Sequence, residues 1–167
     1  MANFGYIQIE FGDEFKKSLV EWSEKLIDPK YLIYGEVDGK SIGGFVARDA
    51  HITFVYGIPV STEHSEEIQQ EIQKIILPKI KISGIKCFNV KQYGAKILYL
   101  SIDDKGGELG QIHRKFERFI SDELKQNQPP FVPHIAIAYV SESFDENSLV
   151  YDVQSEIQNV TVKYYKF

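Results

Sequence analysis

One short pattern, His-x-(Thr/Ala)-x-x-Tyr, stands twice in this chain, once in each half. The first copy runs His51-Ile52-Thr53-Phe54-Val55-Tyr56 and the second His134-Ile135-Ala136-Ile137-Ala138-Tyr139. Both are bedded in β-branched and aromatic residues, which suit the pleated, half-buried surface of a strand. Successive strand side chains point to opposite faces. His51 therefore shares a face with Thr53, and His134 with Ala136. Ile52, Phe54, Tyr56 and Ile135, Ile137, Tyr139 are expected on the opposite, core-facing side. Two histidines at the same place in two similar strands predict one site divided between two halves of a fold.

The 167 residues suit one domain (1–167), with lobes expected at roughly 1–80 and 81–167. A hydrophobic share of 43% and a charged share of 26% suit a soluble globular protein. No apolar run is long enough to span a membrane, and the first residues lack the pattern of a secretory signal. The single cysteine, Cys87, cannot form an internal disulfide, which fits a reducing cytoplasm. One cysteine and four scattered histidines make no zinc spacing, and no cofactor is implied. A net charge of −5, with arginines only at Arg48, Arg114 and Arg118, argues against a long nucleic-acid groove. A small anion in a locally positive pocket remains compatible with that balance, and a monomer is expected.

Three stretches carry helical periodicity. Phe15, Leu19, Trp22 and Leu26 form the first stripe. Ile68, Ile72, Ile75 and Ile76 form the second, between a cap at Ser61-Thr62 and a stop at Pro78. Leu109, Ile112, Phe116, Phe119, Ile120 and Leu124 form the third. All three stripes read as core-facing surfaces. Strand-like runs cover 4–11, 31–37, 51–56, 85–90, 96–102, 134–140 and 160–167. Several neighbouring strands are joined too closely for a crossover helix, which predicts mixed or antiparallel sheets in an α+β fold. Gly43-Gly44 reads as a hairpin or flexible connection, since no nucleotide-binding pattern follows it.

Imidazole titrates near neutral pH, so two histidines facing one cleft can divide acid and base roles. In phosphodiester cleavage one removes a proton from the nucleophile and the other protonates the departing oxygen. A hydroxyl two residues along the same strand face lies about 6.7 Å further on, placed to donate to a non-bridging phosphate oxygen. His64, His113 and Cys87 read as incidental or structural residues, and the run 141–146 as a solvated loop.

On these two motifs, the chain length and the layout, the sequence resembles the 2H phosphoesterase superfamily, whose members carry two His-x-Thr/Ser motifs on strands of a bilobal fold. Relatives include LigT-like RNA 2′,5′ ligases, cyclic phosphodiesterases and the phage anti-CBASS phosphodiesterases. The opening Asn3-Phe4-Gly5-Tyr6, and a first motif running into Tyr56-Gly57, are most similar to the last group. The resemblance implies two pseudo-symmetric sheets with flanking helices around a central cleft. It also implies metal-independent cleavage of small cyclic di- or trinucleotide signals, in a host cytoplasm if the chain is viral. His51, Thr53 and His134 fall on the motif positions and are the expected catalytic residues.

Ala136 departs from the pattern: it is the expected substrate-binding position where the family has Thr or Ser. Losing a hydrogen bond to a charged phosphate costs about 1.5–3 kcal/mol, roughly 10- to 150-fold in rate. Three readings stay open. Another donor, from Lys91, Lys96 or Tyr99, compensates; or the alanine is an engineered change that traps substrate; or the protein binds a cyclic nucleotide as a sponge without cleaving it. Processing of RNA 2′,5′ or 2′,3′-cyclic phosphate ends is a further alternative.

Overall fold

Apolar and polar residues alternate along Phe4–Glu10, and this stretch forms β1, with Ile7 and Ile9 fully buried and Tyr6, Gln8 and Glu10 on the opposite face. The computed structural model describes residues 4–37, 39–60, 63–90 and 94–166. In it β1 is the middle strand of a three-stranded antiparallel sheet, between β4 (His51–Pro59) and β9 (Thr161–Tyr165). The last strand of the chain thus returns to the first.

A second antiparallel sheet has the order β7 (His134–Ser141), β6 (Ala95–Ile102), β5 (Ile80–Val90), β8 (Glu156–Ile157). Beyond β7 lies the hairpin of β2 (Tyr34–Val37) and β3 (Lys40–Gly43), joined to it by bridges from Leu32 to Val140 and from Phe45 to Ala138. Gly43 ends β3 opposite Tyr34, at the open end of the hairpin, and Gly44 follows it, so the pair is a connection out of the hairpin and not its turn; both have positive φ. A side-chain carbon on Gly44 would meet the Tyr34 ring at 2.4 Å.

The helical stripes fold only in part as their periodicity implies: Leu26 and Ile76, expected to face the core, are 41% and 89% exposed. In α1 (Asp13–Leu26) Phe15, Leu19 and Trp22 are buried, and Asp13 and Glu14 complement its N-terminal dipole. The second stripe gives α2 (Ser65–Gln73), with His64 at its N-cap, and the helix ends before Ile75 and Ile76 and well short of Pro78; Ser61 and Thr62 lie outside the described residues. The third stripe breaks into α3 (Glu108–Phe116), a 3-10 turn over Glu117–Phe119, and α4 (Asp122–Lys125). Ile120 is extended there, and the Ser121 amide donates to the Gly57 carbonyl at 2.8 Å, so a tertiary contact overrides helix continuation. Strand 31–37 starts late for a local reason: Pro29–Tyr31 is a 3-10 turn capped by Asp28, whose carboxylate accepts from the Lys30 amide.

Ile7, Ile9, Ile52 and Phe54 of the first sheet and Leu98, Leu100, Ile135 and Ile137 of the second belong to one buried cluster, closed by Leu19, Ile68 and Phe116. Each such side chain contributes about 1.5–3 kcal/mol when fully buried. The fold of the described residues is α+β, with antiparallel sheets of three and four strands, the β2–β3 hairpin and flanking helices, and β4 and β7 are in contact where the larger sheets meet.

Candidate active site

His51 and His134 are the first residues of β4 and β7. Both strands carry a β-bulge at the same motif position. Along β4, Thr53 pairs with Gln8 and Val55 with Ile7, which leaves Phe54 as the extra residue. Along β7, Ala136 pairs with Tyr99 and Ala138 with Leu98, which leaves Ile137 extra. A bulge inserts one residue and so reverses the alternation beyond it. Phe54 and Val55 are therefore buried in succession, as are Ile137 and Ala138. Tyr56 and Tyr139, expected on the core side, are turned instead toward the histidine face. Strict alternation, on which that expectation rested, ends at the bulge.

The two histidines are anchored alike. His51 Nδ1 lies 2.6 Å from the Asp49 carbonyl oxygen, and His134 Nδ1 lies 2.7 Å from that of Val132. A carbonyl only accepts, so Nδ1 carries hydrogen in both rings, and in the neutral form Nε2 keeps its lone pair. A ring held this way takes up or releases a proton at Nε2 without turning.

His51, Thr53, His134 and Ala136 converge on one cavity of about 320 Å³, which Val46, Asp49 and Tyr139 also line. Beside it, sharing Thr53 and His134, is a largely apolar cavity of about 640 Å³ walled by Tyr56, Phe88, Phe131 and Val132. On the other side, sharing Asp49 and His51, a polar cavity of about 360 Å³ is lined by Tyr6, Gln8, Glu10 and Tyr165. The three adjoin one another through these shared residues.

The surroundings of the two histidines differ. His51 pairs across the sheet with Glu10, which accepts hydrogen bonds from Tyr165 and, at 2.6 Å, from Gln8, and lies 3.3 Å from Lys163. Burial works to raise the Glu10 carboxyl. Hydrogen bonds from Tyr165, Gln8 and Lys163, with the lysine charge, outweigh it and hold the group below the ordinary carboxylate value. The same contact pushes the Tyr165 phenol up to about 12. His134 instead meets aromatic rings edge-on, Phe88 at 5.0 Å and Tyr99 at 5.2 Å, and those two stack on each other at 4.2 Å.

Of the donors suggested in place of a hydroxyl at Ala136, Lys96 points to the opposite face of β6 from Tyr99 and is bound to Glu146 at 2.5 Å. The run 141–146 thus ends on that face, and Cys87 joins the same cluster, its thiol donating to Glu146 at 3.4 Å. Burial and Glu146 push the thiol pKa up, which disfavours the thiolate form. Tyr99 is 6% exposed and packed behind His134, and Lys91 lies outside the described residues.

His113, read as incidental, links the first motif strand to the segment leading into the second: its Nδ1 donates to the Phe54 carbonyl at 2.8 Å and its ring stacks on Phe131. Phe88, Glu10 and Gln8 also went unrecognised, although the alternation of β1 was readable. Among the described residues no group of three or more His, Cys, Asp or Glu side chains gathers to hold a metal ion, and no helix is long and apolar enough to cross a membrane.

No curated protein sequence matches this chain. Its fold is similar to that of LigT from E. coli complexed with 3′-AMP, with a TM-score of 0.59, 14% identity, and coverage of 99% of this chain and 87% of that one. A crystal structure described as a phosphoesterase gives 0.57 at 16% identity, covering 99% and 88%. Usb1 from Kluyveromyces marxianus gives 0.54 at 13% identity, covering 85% and 73%. Family membership supports an enzyme of the phosphodiesterase type. The profile of the 2′-5′ RNA ligase superfamily matches residues 39–163, a span holding both histidine motifs, and the chain belongs to that superfamily of LigT-like 2H phosphoesterases.

Proposed function

We propose that this chain is a metal-independent phosphodiesterase that opens 3′,5′ linkages in small cyclic di- or trinucleotides, with His51 and His134 as proton-transfer groups and Thr53 as a phosphate donor. The observation that carries this reading is the convergence of two identically anchored imidazoles on one cavity beside a threonine hydroxyl. The aromatic cavity next to it suits a nucleobase, and the net charge of −5 favours a small substrate over a long nucleic acid. Resemblance of the opening residues and the first motif to the phage anti-CBASS enzymes supports a cyclic signal as substrate, and with it a counter-defence role.

In the first step one neutral imidazole takes the proton of a ribose 2′-hydroxyl at Nε2 while that oxygen attacks the adjacent phosphorus. The other imidazole, protonated, gives its proton to the departing 5′-oxygen. A 2′,3′-cyclic phosphate and a 5′-hydroxyl form, and the two histidines have exchanged protonation states. Water then opens the ring with the roles reversed, which leaves a phosphate monoester and restores both rings. Each proton transfer supplies about 10²- to 10⁴-fold.

Incubation with a cyclic dinucleotide in EDTA, followed by denaturation and chromatography, tests the proposal. Linear product that disappears in His51→Ala and His134→Ala, at unchanged melting temperature, supports it. Strict dependence on Mg²⁺ or Mn²⁺ overturns it, and intact ligand recovered after tight binding marks a sponge instead. The superfamily description favours a second reading, RNA end processing. Preference for linear oligoribonucleotides with 2′,3′-cyclic phosphate ends or 2′,5′ links would select it.

A further inference from the structure

We infer that Tyr139 supplies the hydroxyl donor that Ala136 lacks, reaching a phosphate held between His51 and His134. The bulge at Ile137 makes this possible: without it Tyr139 would point into the core. With it, Tyr139 lines the same cavity as His51, Thr53, His134 and Ala136. Ala136 pairs with Tyr99 and Tyr139 with Ile97, two residues apart on β6, so Tyr139 stands about 6.7 Å further along the strand. A phenol is long enough to lean back across such a step, where a threonine hydroxyl is not.

The position is rigid. The Tyr139 amide donates to the Gly44 carbonyl at 2.9 Å, and the Ile33 amide donates to the Tyr139 carbonyl at 3.0 Å, so the β2–β3 hairpin grips its backbone from the far side. Among the described residues no group engages its phenolic oxygen, which leaves it for a ligand. The other described candidates are spent: Lys96 on Glu146, and Tyr99 behind His134. Ala136 then does not disable the pocket. It leaves room for the larger side chain's hydroxyl, and the donor has moved along the strand.

This assignment deepens the proposed phosphodiester chemistry but is separable from it, because phosphate binding can be read without turnover. The test titrates 3′-AMP into wild type, Tyr139→Phe, Ala136→Thr and the double variant, followed by ³¹P NMR, with thermal melts to verify folding. Tyr139→Phe should weaken binding about tenfold or more, and adding Ala136→Thr to it should restore affinity to within about threefold. Ala136→Thr alone should change little. With 2′,3′-cyclic AMP as substrate, Tyr139→Phe should lower kcat by about 10- to 100-fold and shift the preference between the two phosphorothioate diastereomers. Affinity and kcat of Tyr139→Phe both within about twofold of wild type would overturn the assignment. Turnover surviving in His51→Ala and His134→Ala would instead overturn the two-histidine reaction, and the binding arm would still decide the role of Tyr139.

Discussion

The ring of His113 lies flat against that of Phe131, with centroids 4.4 Å apart and planes 2° apart, while its Nδ1 donates to the carbonyl oxygen of Phe54. Phe54 is the bulged residue of the first motif strand, and Phe131 lies in the segment that leads into His134. A side chain of α3 therefore contacts both the first motif strand and the segment that leads into the second. His113→Phe keeps the stack and loses the hydrogen bond, at about 1–2 kcal/mol. His113→Ala loses both and should cost about 2–3 kcal/mol. Urea denaturation measures these differences. Turnover of a 2′,3′-cyclic nucleotide should fall in both variants and further in His113→Ala, since small misplacement of reacting groups is expensive.

Phe88 gives a second expectation. It lines the apolar cavity, stacks on Tyr99 and meets His134 edge-on. Stacking of a base on an aromatic ring is worth about 1–3 kcal/mol. Phe88→Ala should raise KM or Kd for a nucleotide about 5- to 100-fold, with a smaller loss in kcat from the loosened His134 ring. Phe88→Tyr should bind as wild type does. Equal affinity in Phe88→Ala would place the base elsewhere in the cleft.

The alternation in Phe4–Glu10 and the two motif strands was legible in the sequence because one apolar side chain on every second residue is what a half-buried strand requires. His51, Thr53, His134 and Ala136 could be placed on one face because they precede the bulge. Tyr56 and Tyr139 could not: a bulge is set by how β4 pairs with β1 and β7 with β6, and nothing in either hexapeptide announces it. The same holds for His113, whose partners are a carbonyl and a ring distant in sequence. The break at Ile120 answers to the Gly57 carbonyl, again a tertiary partner. Local periodicity specified the elements, and long-range contacts decided which side chains reach the cleft.

Behind the second sheet, Lys96 and Glu146 predict a pH-dependent stability. The Lys96 side chain is 10% exposed and that of Glu146 25%. The hydrogen bond from Lys96 holds the Glu146 carboxyl below its ordinary value of 4.5. Such a group contributes stability that is fully present above the unfolded-state value and is lost as pH falls through the lower folded value. Glu146→Gln leaves a buried ammonium without its counter-charge and should destabilise by about 2–4 kcal/mol at pH 7. Lys96→Met leaves a carboxylate with more access to water and should cost less. In denaturant melts from pH 7 to pH 3 the gap between wild type and Glu146→Gln should narrow only below about pH 4.5. A gap constant across that range would mean the pair contributes no charge-dependent stability.

Gly57 links the first motif to the wall of the apolar cavity. Its φ is +96°, and a side-chain carbon there would lie 2.6 Å from the Leu124 Cδ1. Its carbonyl accepts from the Ser121 amide, and the neighbouring Tyr56 carbonyl accepts from Gln128 at 2.9 Å. Gly57→Ala meets two costs at once, a backbone region unfavourable to L side chains and a clash with α4, together about 2–4 kcal/mol. Relief of the clash must displace Leu124 and the segment through Gln128, which forms one side of that cavity. The variant should therefore lose nucleotide affinity along with stability, whereas Leu124→Ala combined with Gly57→Ala should recover part of the affinity by removing the clash. Calorimetric melts and a 3′-AMP titration of the single and double variants would measure both effects. Equal affinities for wild type and Gly57→Ala would show that the 124–128 wall does not contact the bound nucleotide.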